Sequence, residues 1–336
     1  MLDDNVGRRR LRSLLQERSK KVLEGFRNTA ISSVEFPKLL SILKDVIGYW
    51  NDVYRPTLVS LSCEAVGGNP STTEDAALAI TLMAAGMGIH DDIIDKSKTK
   101  HLRTTIVGIY NPEEALLAGD ILIIKGLIVA SNMLATHKTE ENPRIIAALE
   151  NCIFELYEGE FMEISSRRDL NTTWDYRCQV LWKFNCYTEA CGRLGAIIGG
   201  GTEEEVEVLS KFGKSLGYII TLGEEIKDSR DFDLNLSNRL KNEGLPLPIL
   251  HAAQSSTQIF NEIKAIVEKN QIILEDVKRV VEFCLETGAF ERVYDLAKKT
   301  ADEALLNIRA LRPSEAQDAL TQMLKESLKD VAHYIP

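Results

Sequence analysis

Two short acidic clusters hold the residues of this chain whose types and spacing could do chemistry. The first, IHDDIID, carries Asp91, Asp92 and Asp95; the second, GEEIKD, carries Glu224, Glu225 and Asp228. On a helix the first and last carboxylates of each cluster share a face, and the middle one sits about 100° round. Three such carboxylates without partners repel one another and destabilise the helix. A hard divalent cation reverses the sign. Magnesium takes oxygen ligands, retains waters, and is held by one or two carboxylates together with phosphate oxygens of a substrate. Both clusters follow an apolar stretch, AALAITLMAAGMGI before the first and GYIITL before the second. A solvated helix end would accommodate either cluster alone. Two copies facing each other across a bundle would hold magnesium against a diphosphate and stabilise its charge as it departs.

The elements that must position these clusters are helices. VEFPKLLSILKDVIGYW, EIKAIVEKNQIILEDVKRVVEFCLE and ERVYDLAKKTADEALLNIRAL repeat apolar residues at helical period, and no run of alternating β-branched residues suggests a sheet. Glycine and proline punctuate the chain in VGGNPSTTED, YNPEEA, GGGTEEE and NEGLPLP. In two of these a Ser/Thr or Gly precedes a glutamate-rich first turn, the pattern of a helix N-terminus. EEALLAGDILIIKGLIVASNMLA is apolar on nearly all sides, interrupted by Asp120 and Lys125. Such a helix is expected in the middle of a bundle. No linker, low-complexity run or fixed-period repeat appears, so residues 1–336 are expected to form a single all-α domain around one or two central helices.

Composition bounds the function. With 336 residues, 44% hydrophobic and 27% charged, the chain can bury a sizeable core. A net charge of −10 excludes a general nucleic-acid binder. The six cysteines lack CxxC spacing and read as buried thiols of a reducing cytoplasm, neither disulfides nor zinc ligands. The N-terminal MLDDNVGRRRLRSLLQERSKK has no apolar signal core, and Asp3, Asp4 and Glu17 argue against a transit peptide. AALAITLMAAGMGI is too short to span a bilayer, so no transmembrane segment is expected and the location is expected to be cytoplasmic.

Most of the chain resembles the trans-isoprenyl diphosphate synthases, the farnesyl, geranylgeranyl and longer polyprenyl diphosphate synthases. The resemblance runs through RPTLVSLSCEAVGG, IHDDIID, TTIVGIYNPEEALLAGDILI, ELYEGEFMEI, CGRLGAIIGG, FGKSLGYIITLGEEIKD, GLPLPIL and ETGAFERVYDLAKKTADEALLNI. It implies the isoprenoid synthase bundle around a central cavity, usually as a homodimer, or a heteromer with a homologous subunit. It also implies a Mg²⁺-dependent condensation of an allylic prenyl diphosphate with isopentenyl diphosphate, by ionisation, condensation and elimination. Asp91, Asp92, Asp95, Glu224, Glu225 and Asp228 match the two metal motifs, and Lys183 matches a lysine that reaches the allylic diphosphate.

The departures from the family pattern cluster. Glutamates stand at 224 and 225 where aspartates are usual, Ile220-Thr221 replaces Phe-Gln, and Gly159-Glu160 replaces Gly-Gln. In the isopentenyl diphosphate region NDVYRP keeps Arg55 but places Asp52 where a lysine is usual, and Ala84 stands where a histidine is usual. Lys100 and His101 replace paired arginines, with Arg103 beyond them; Arg103, Arg239 and Lys241 are candidate compensating cations. Small residues before the first aspartate, Ala84 and Gly86 beside Met87, suggest an open tail channel and a product of about twenty carbons or more, within a range from about C15 upwards. Two other readings use the same residues. One is an enzyme that ionises a prenyl diphosphate without isopentenyl diphosphate, although the second cluster lacks the Asn/Asp–Ser/Thr–Glu spacing of terpene cyclases. The other is a non-catalytic subunit of a heteromeric synthase, which would have no need of an intact DDIID.

Overall fold

The computed structural model describes residues 2–100, 103–136, 140–230 and 234–335. These form two compact units, Met1–Cys152 with Tyr187–Lys214 and Leu305–Met323, and Ile153–Cys186 with Ser215–Ala304 and Leu324–Pro336. In chain order the helices are α1 (Leu2–Ile31), α2 (Pro37–Tyr49), α3 (Tyr54–Ala65), α4 (Glu74–Ile94), α5 (Ile106–Ile109), α6 (Pro112–Thr136), α7 (Asn142–Ser165), α8 (Trp174–Phe184) and α9 (Cys186–Ile198). They continue with α10 (Glu203–Arg230), α11 (Leu234–Asn242), α12 (Leu247–Ser255), α13 (Thr257–Val267), α14 (Leu274–Glu286), α15 (Ala289–Asn307) and α16 (Glu315–His333). The only sheet among the described residues is a hairpin of β1 (Thr99–Lys100) and β2 (Arg103–Thr104), so the chain is all-α as its periodicity implies.

Local signals set the helix starts. Glu74 and Asp75 open α4, where carboxylates favour the positive end of the helix dipole. At α10, Glu205 N–H donates to Thr202 Oγ1 at 3.3 Å and Thr202 N–H to Glu205 Oε2 at 2.9 Å, a reciprocal capping box.

In the first unit the core gathers Phe26 and Ala30 of α1, Leu43 and Val46 of α2, Leu82, Ala85 and Ile89 of α4, Ile106 of α5, and Ala118 and Leu122 of α6. Helix α4 is buried on nearly every side. Glycines bring α6 directly against it. A Cβ on Gly86 would lie 2.5 Å from the Gly119 carbonyl oxygen, and one on Gly126 would lie 2.6 Å from Met83 Cγ. The pairs 86 with 119 and 83 with 126 run in opposite senses, so the two helices are antiparallel. In the second unit α12 packs on α8, α13 and α14, burying Leu247, Ile249, Leu250, Ile263, Val280 and Phe283.

Two sequence expectations need correction. The segment expected in the middle of a bundle, α6, presents Leu116, Leu117, Ile124, Leu127 and Ile128 to solvent, each between 43% and 60% exposed. Its apolar circumference serves two faces: one meets α4 through glycines, and the other is left exposed among the described residues. The helical segments 70–94 and 112–136 are each 25 residues long and apolar enough, by length and composition, to cross a membrane. The stretch judged too short is thus part of a longer helix. The first is largely buried in the protein, as a core helix is, and the second carries the exposed stripe. All six cysteines are unpaired, five of them buried.

Because the α4–α6 contact has no room for a side chain at Gly86, Gly86→Val should lower stability by about 1–3 kcal/mol, the usual cost of overpacking. Urea denaturation checks this. An unchanged midpoint would contradict the observed backbone approach.

Candidate active site

Asp91 and Asp92 lie in the last turn of α4, and Asp95 caps its C-terminus, its N–H donating to the Asp91 carbonyl at 2.9 Å. Helix carbonyls also point towards this end, so three carboxylates here need a cation. The chain supplies one. Lys96 takes a left-handed conformation (φ 54°) that turns the chain back after α4, and the hairpin pairs Lys100 with Arg103. Thr105 then ties the loop, its Oγ1 donating to the Ser97 carbonyl at 2.6 Å. Lys100 Nζ thereby reaches Asp91 Oδ2 at 2.6 Å and Asp92 Oδ1 at 2.9 Å. Burial pushes the Asp92 carboxyl above its ordinary value, with Lys100 opposing the rise. Burial also works against the Lys100 charge, but Asp91 and Asp92 outweigh it and hold its ammonium well above the ordinary lysine value.

Two carboxylates from adjacent positions thus converge on one ammonium. This is the observation by which the first motif fits a cation. Among the described residues no three His, Cys, Asp or Glu side chains converge as a ready metal shell. A metal at Asp91 and Asp92 would therefore complete its coordination with water or substrate oxygens. The preceding residue, His90, is fixed by Asp120 of α6 at 3.2 Å and packs where a Cβ on Gly119 would stand, 2.5 Å from His90 Cδ2. The glycines of α6 therefore also seat the end of α4.

The second motif is divided by burial. Glu224 is exposed, Asp228 is intermediate, and Glu225 is 2% exposed. Glu225 Oε1 accepts from Arg177 Nη2 at 3.1 Å and Arg239 Nη2 at 2.6 Å, and Oε2 accepts from Leu247 N–H at 2.8 Å. Burial works against the Glu225 charge, but Arg177, Arg239 and the Leu247 N–H outweigh it and hold the carboxyl below the usual glutamate range. Glu225 is expected from the sequence as a metal ligand, yet both its oxygens are committed within the protein. Asp228 Oδ2 accepts from Arg239 Nη1 at 3.2 Å. The sequence reading omits Arg177, Glu163 and Glu243, which complete this network from α8, α7 and the residue after α11.

The other expected residues are placed as follows. Arg55 donates through Nη1 to Asp52 Oδ2 at 2.8 Å and lies 5.8 Å from the Tyr187 ring centre. Burial opposes the Arg55 charge and Asp52 more than restores it. Arg103 stacks on Tyr49, its Cζ 3.4 Å from the ring centre. Lys183 pairs with Glu158 at 2.8 Å on the surface of the second unit. Lys241 donates to the Asn270 carbonyl, away from the acidic motif of its own helix neighbourhood. His101 lies outside the described residues. Ala84 and Met87 are buried, whereas Gly86 is closed by the backbone of α6, so its small size brings helices together and does not open a tail channel.

Comparison with known proteins is consistent along the chain. The profile of the family described as "Polyprenyl synthetase" matches residues 39–284, and the chain belongs to that family. It is 25% identical over 313 residues to the chloroplastic solanesyl diphosphate synthase 1 of Arabidopsis thaliana, covering 90% of this chain and 74% of that one. It is 25% identical over 278 residues to the geranylgeranyl diphosphate synthase of Methanosarcina mazei, covering 80% and 82%. The crystal structure of a decaprenyl diphosphate synthase from Rhodobacter capsulatus superposes with a TM-score of 0.85 at 22% identity over 96% of this chain and 98% of that one, which shows the same fold.

If the Lys100 ammonium occupies the position a metal would take, it competes with the metal. Lys100→Gln should strengthen Mn²⁺ binding to the substrate-free protein about tenfold, since displacing a half-buried ammonium from two carboxylates costs ~1–1.5 kcal/mol. Titration followed by electron paramagnetic resonance reads this directly; weaker binding in Lys100→Gln would show that the lysine assists the site.

Proposed function

We propose that this protein is a Mg²⁺-dependent prenyltransferase that condenses an allylic prenyl diphosphate with isopentenyl diphosphate to give a longer trans-polyprenyl diphosphate. The observation that carries the reading is the pair of carboxylates, Asp91 and Asp92, converging on one cation at the end of a buried apolar helix. Family membership supports it, and so do relatives whose names span geranylgeranyl and solanesyl products. Asp91, Asp92 and Asp95 would hold metal in the first motif, with Glu224 and Asp228 serving in the second. When bound, Mg²⁺ would neutralise the charge that grows on diphosphate as the allylic carbon–oxygen bond breaks.

The chain's own part is positioning and electrostatics. Lys183 and the cations near the first motif, Lys100, His101 and Arg103, would bind diphosphate oxygens, with Arg55 available once Asp52 releases it. Lys241 is a further candidate cation, though it must leave the Asn270 carbonyl to serve. Apolar residues of α4, including Ala84 and Met87, would line the tail and deny water to the allylic cation. The condensed cation then loses a proton, for which the departing diphosphate is the nearest base. The six unpaired cysteines favour a reducing compartment, the cytoplasm.

The exposed stripe of α6 supports a homodimer. Leu116, Leu117, Ile124, Leu127 and Ile128 fall within about 120° of the helix circumference at ~100° per residue. Asp120 shares this arc, so the face is apolar with one acidic residue, and an exposed apolar cluster of this kind is characteristic of subunit contacts. Leu117→Glu combined with Ile124→Glu should convert the dimer to monomer in sedimentation velocity, and a species of unchanged mass would remove this face from the interface.

One assay tests the reaction. The protein is given Mg²⁺ and dimethylallyl, geranyl or farnesyl diphosphate, with and without isopentenyl diphosphate, and both diphosphate release and product length are followed. Longer products only when both substrates are present support elongation. Diphosphate release without isopentenyl diphosphate would replace elongation with ionisation alone, and inactivity together with copurification of a homologous subunit would replace it with a regulatory role. Asp91→Ala should lower elongation by about 10²–10³-fold, the usual cost of losing one transition-state electrostatic contact, with the far-ultraviolet circular dichroism unchanged.

A further inference from the structure

The interior of the second unit holds charges that the proposed reaction does not use. Arg177 is 2% exposed and is among the largest fully buried side chains of the chain. Its Nη1 donates to Glu163 Oε2 at 2.5 Å and its Nη2 to Glu225. Gly244 N–H donates to Glu163 Oε1 at 2.9 Å, and a Cβ at Gly244 would lie 2.6 Å from Arg177 Nη1, so the turn after α11 is shaped around this guanidinium. Arg239 meets three carboxylates: Nη2 donates to Glu225 at 2.6 Å and Nη1 to Asp228 at 3.2 Å, while Nε is ion-paired with Glu243 at 3.0 Å without hydrogen-bond geometry.

These contacts have unequal standing. Glu225 and Glu243 are buried, and buried carboxylates must keep their counter-charge. Asp228 is partly exposed and makes the longest of the three contacts. Among the described residues two guanidiniums face four carboxylates, Glu163, Glu225, Glu243 and Asp228, of which Asp228 is nearest solvent. Arg239 is thus anchored at Glu225 by a hydrogen bond and at Glu243 by charge, and it donates through Nη1 to Asp228. A planar guanidinium can hold this forked arrangement, and an ammonium cannot.

We propose that Arg239 is a positioning residue of the second acidic motif: anchored on Glu225 and Glu243, it holds the Asp228 carboxylate in the pose in which that carboxylate meets a metal ion. Glu225 is the anchor of this device and not a ligand. The inference rests on the proposed reading of the second motif as a metal site.

The test is a double-mutant cycle on the full chain, with Mn²⁺ affinity measured by electron paramagnetic resonance in the presence of inorganic diphosphate. Arg239→Lys keeps the charge and loses the fork. It should weaken Mn²⁺ binding several-fold while the helical signal at 20 °C is kept, and should raise the Mg²⁺ concentration needed for half-maximal turnover. In the Asp228→Asn background the same substitution should have no further effect, because Arg239 acts through Asp228. Where Arg239→Lys does not fold, the charge-balanced pair Arg239→Gln with Glu225→Gln takes its place with the same expectation. Unchanged or tighter Mn²⁺ binding on replacing Arg239, or an equal loss in both backgrounds, overturns the inference. If Asp228→Asn by itself leaves Mn²⁺ affinity unchanged, the fault lies in the reading of the second motif as a metal site, and the inference goes with it.

Discussion

The constraint on which this structure depends is that a carboxylate withdrawn from water needs a cation beside it. Desolvating an unpaired carboxylate costs several kcal/mol even after relaxation, so an acidic cluster behind an apolar helix is stable only with compensation. Each motif meets the constraint in its own way. At the first, a single lysine arrives from a short hairpin and bridges two aspartates while remaining partly exposed. At the second, two buried arginines fix one glutamate permanently and leave its neighbours nearer solvent. In the first arrangement Asp91 and Asp92 would be able to hold a metal in place of the lysine, whose flexible stem reaches them from a partly exposed hairpin. The second allows no such replacement, because its removal would leave charges stranded in the interior.

Backbone proximity matters as much as charge. Gly86, Gly119 and Gly126 let α4 and α6 approach until carbonyl oxygens and side chains fill the space a Cβ would need. That contact carries His90 with it and so fixes the turn that bears Asp91. On the far side of α6 it leaves a stripe of apolar side chains exposed among the described residues. One helix composition therefore serves a close internal contact and an exposed face together.

Much of this was legible in the sequence. Apolar period, glycine and proline punctuation and the T-E-E-E opening of α10 are local signals, and they locate helices correctly. The acidic clusters point to a candidate site at Asp91 and Asp92, whose carboxylates the structure brings onto one ammonium. What the sequence could not convey is which side chain meets which partner across long separations. Glu225 and Asp228 look alike as text, yet Arg177, 48 residues away from Glu225, removes only the former from solvent. Lys241 and Arg239 are equally plausible cations two residues apart, but helix rotation sends one to the Asn270 carbonyl and the other into the acidic network. All-round apolarity likewise says that α6 buries much surface, without saying whether the partner belongs to the same chain. Small side chains before Asp91 read equally well as an open channel or as a helix contact, and at Gly86 the contact takes the space.

The altered cations around the first motif follow from the same constraint. Replacing a usual lysine by Asp52 would simply add repulsion towards a second diphosphate, were it not paired with Arg55 at 2.8 Å. The pair holds Arg55 in place before substrate arrives and neutralises it at the same time. Lys100 is likewise neutralised by Asp91 and Asp92. On the reading proposed here, Asp91 and Asp92 would hold a metal in place of the lysine ammonium, whose charge would then be available to a second diphosphate. A site depleted of positive charge in the substrate-free chain would then gain it once a metal is held by the aspartates. Such an exchange requires a lysine that can be displaced. Lys100, half-buried and held by two aspartates, is a point charge on a flexible stem that can be displaced more readily than a rigid bidentate arginine at the same position.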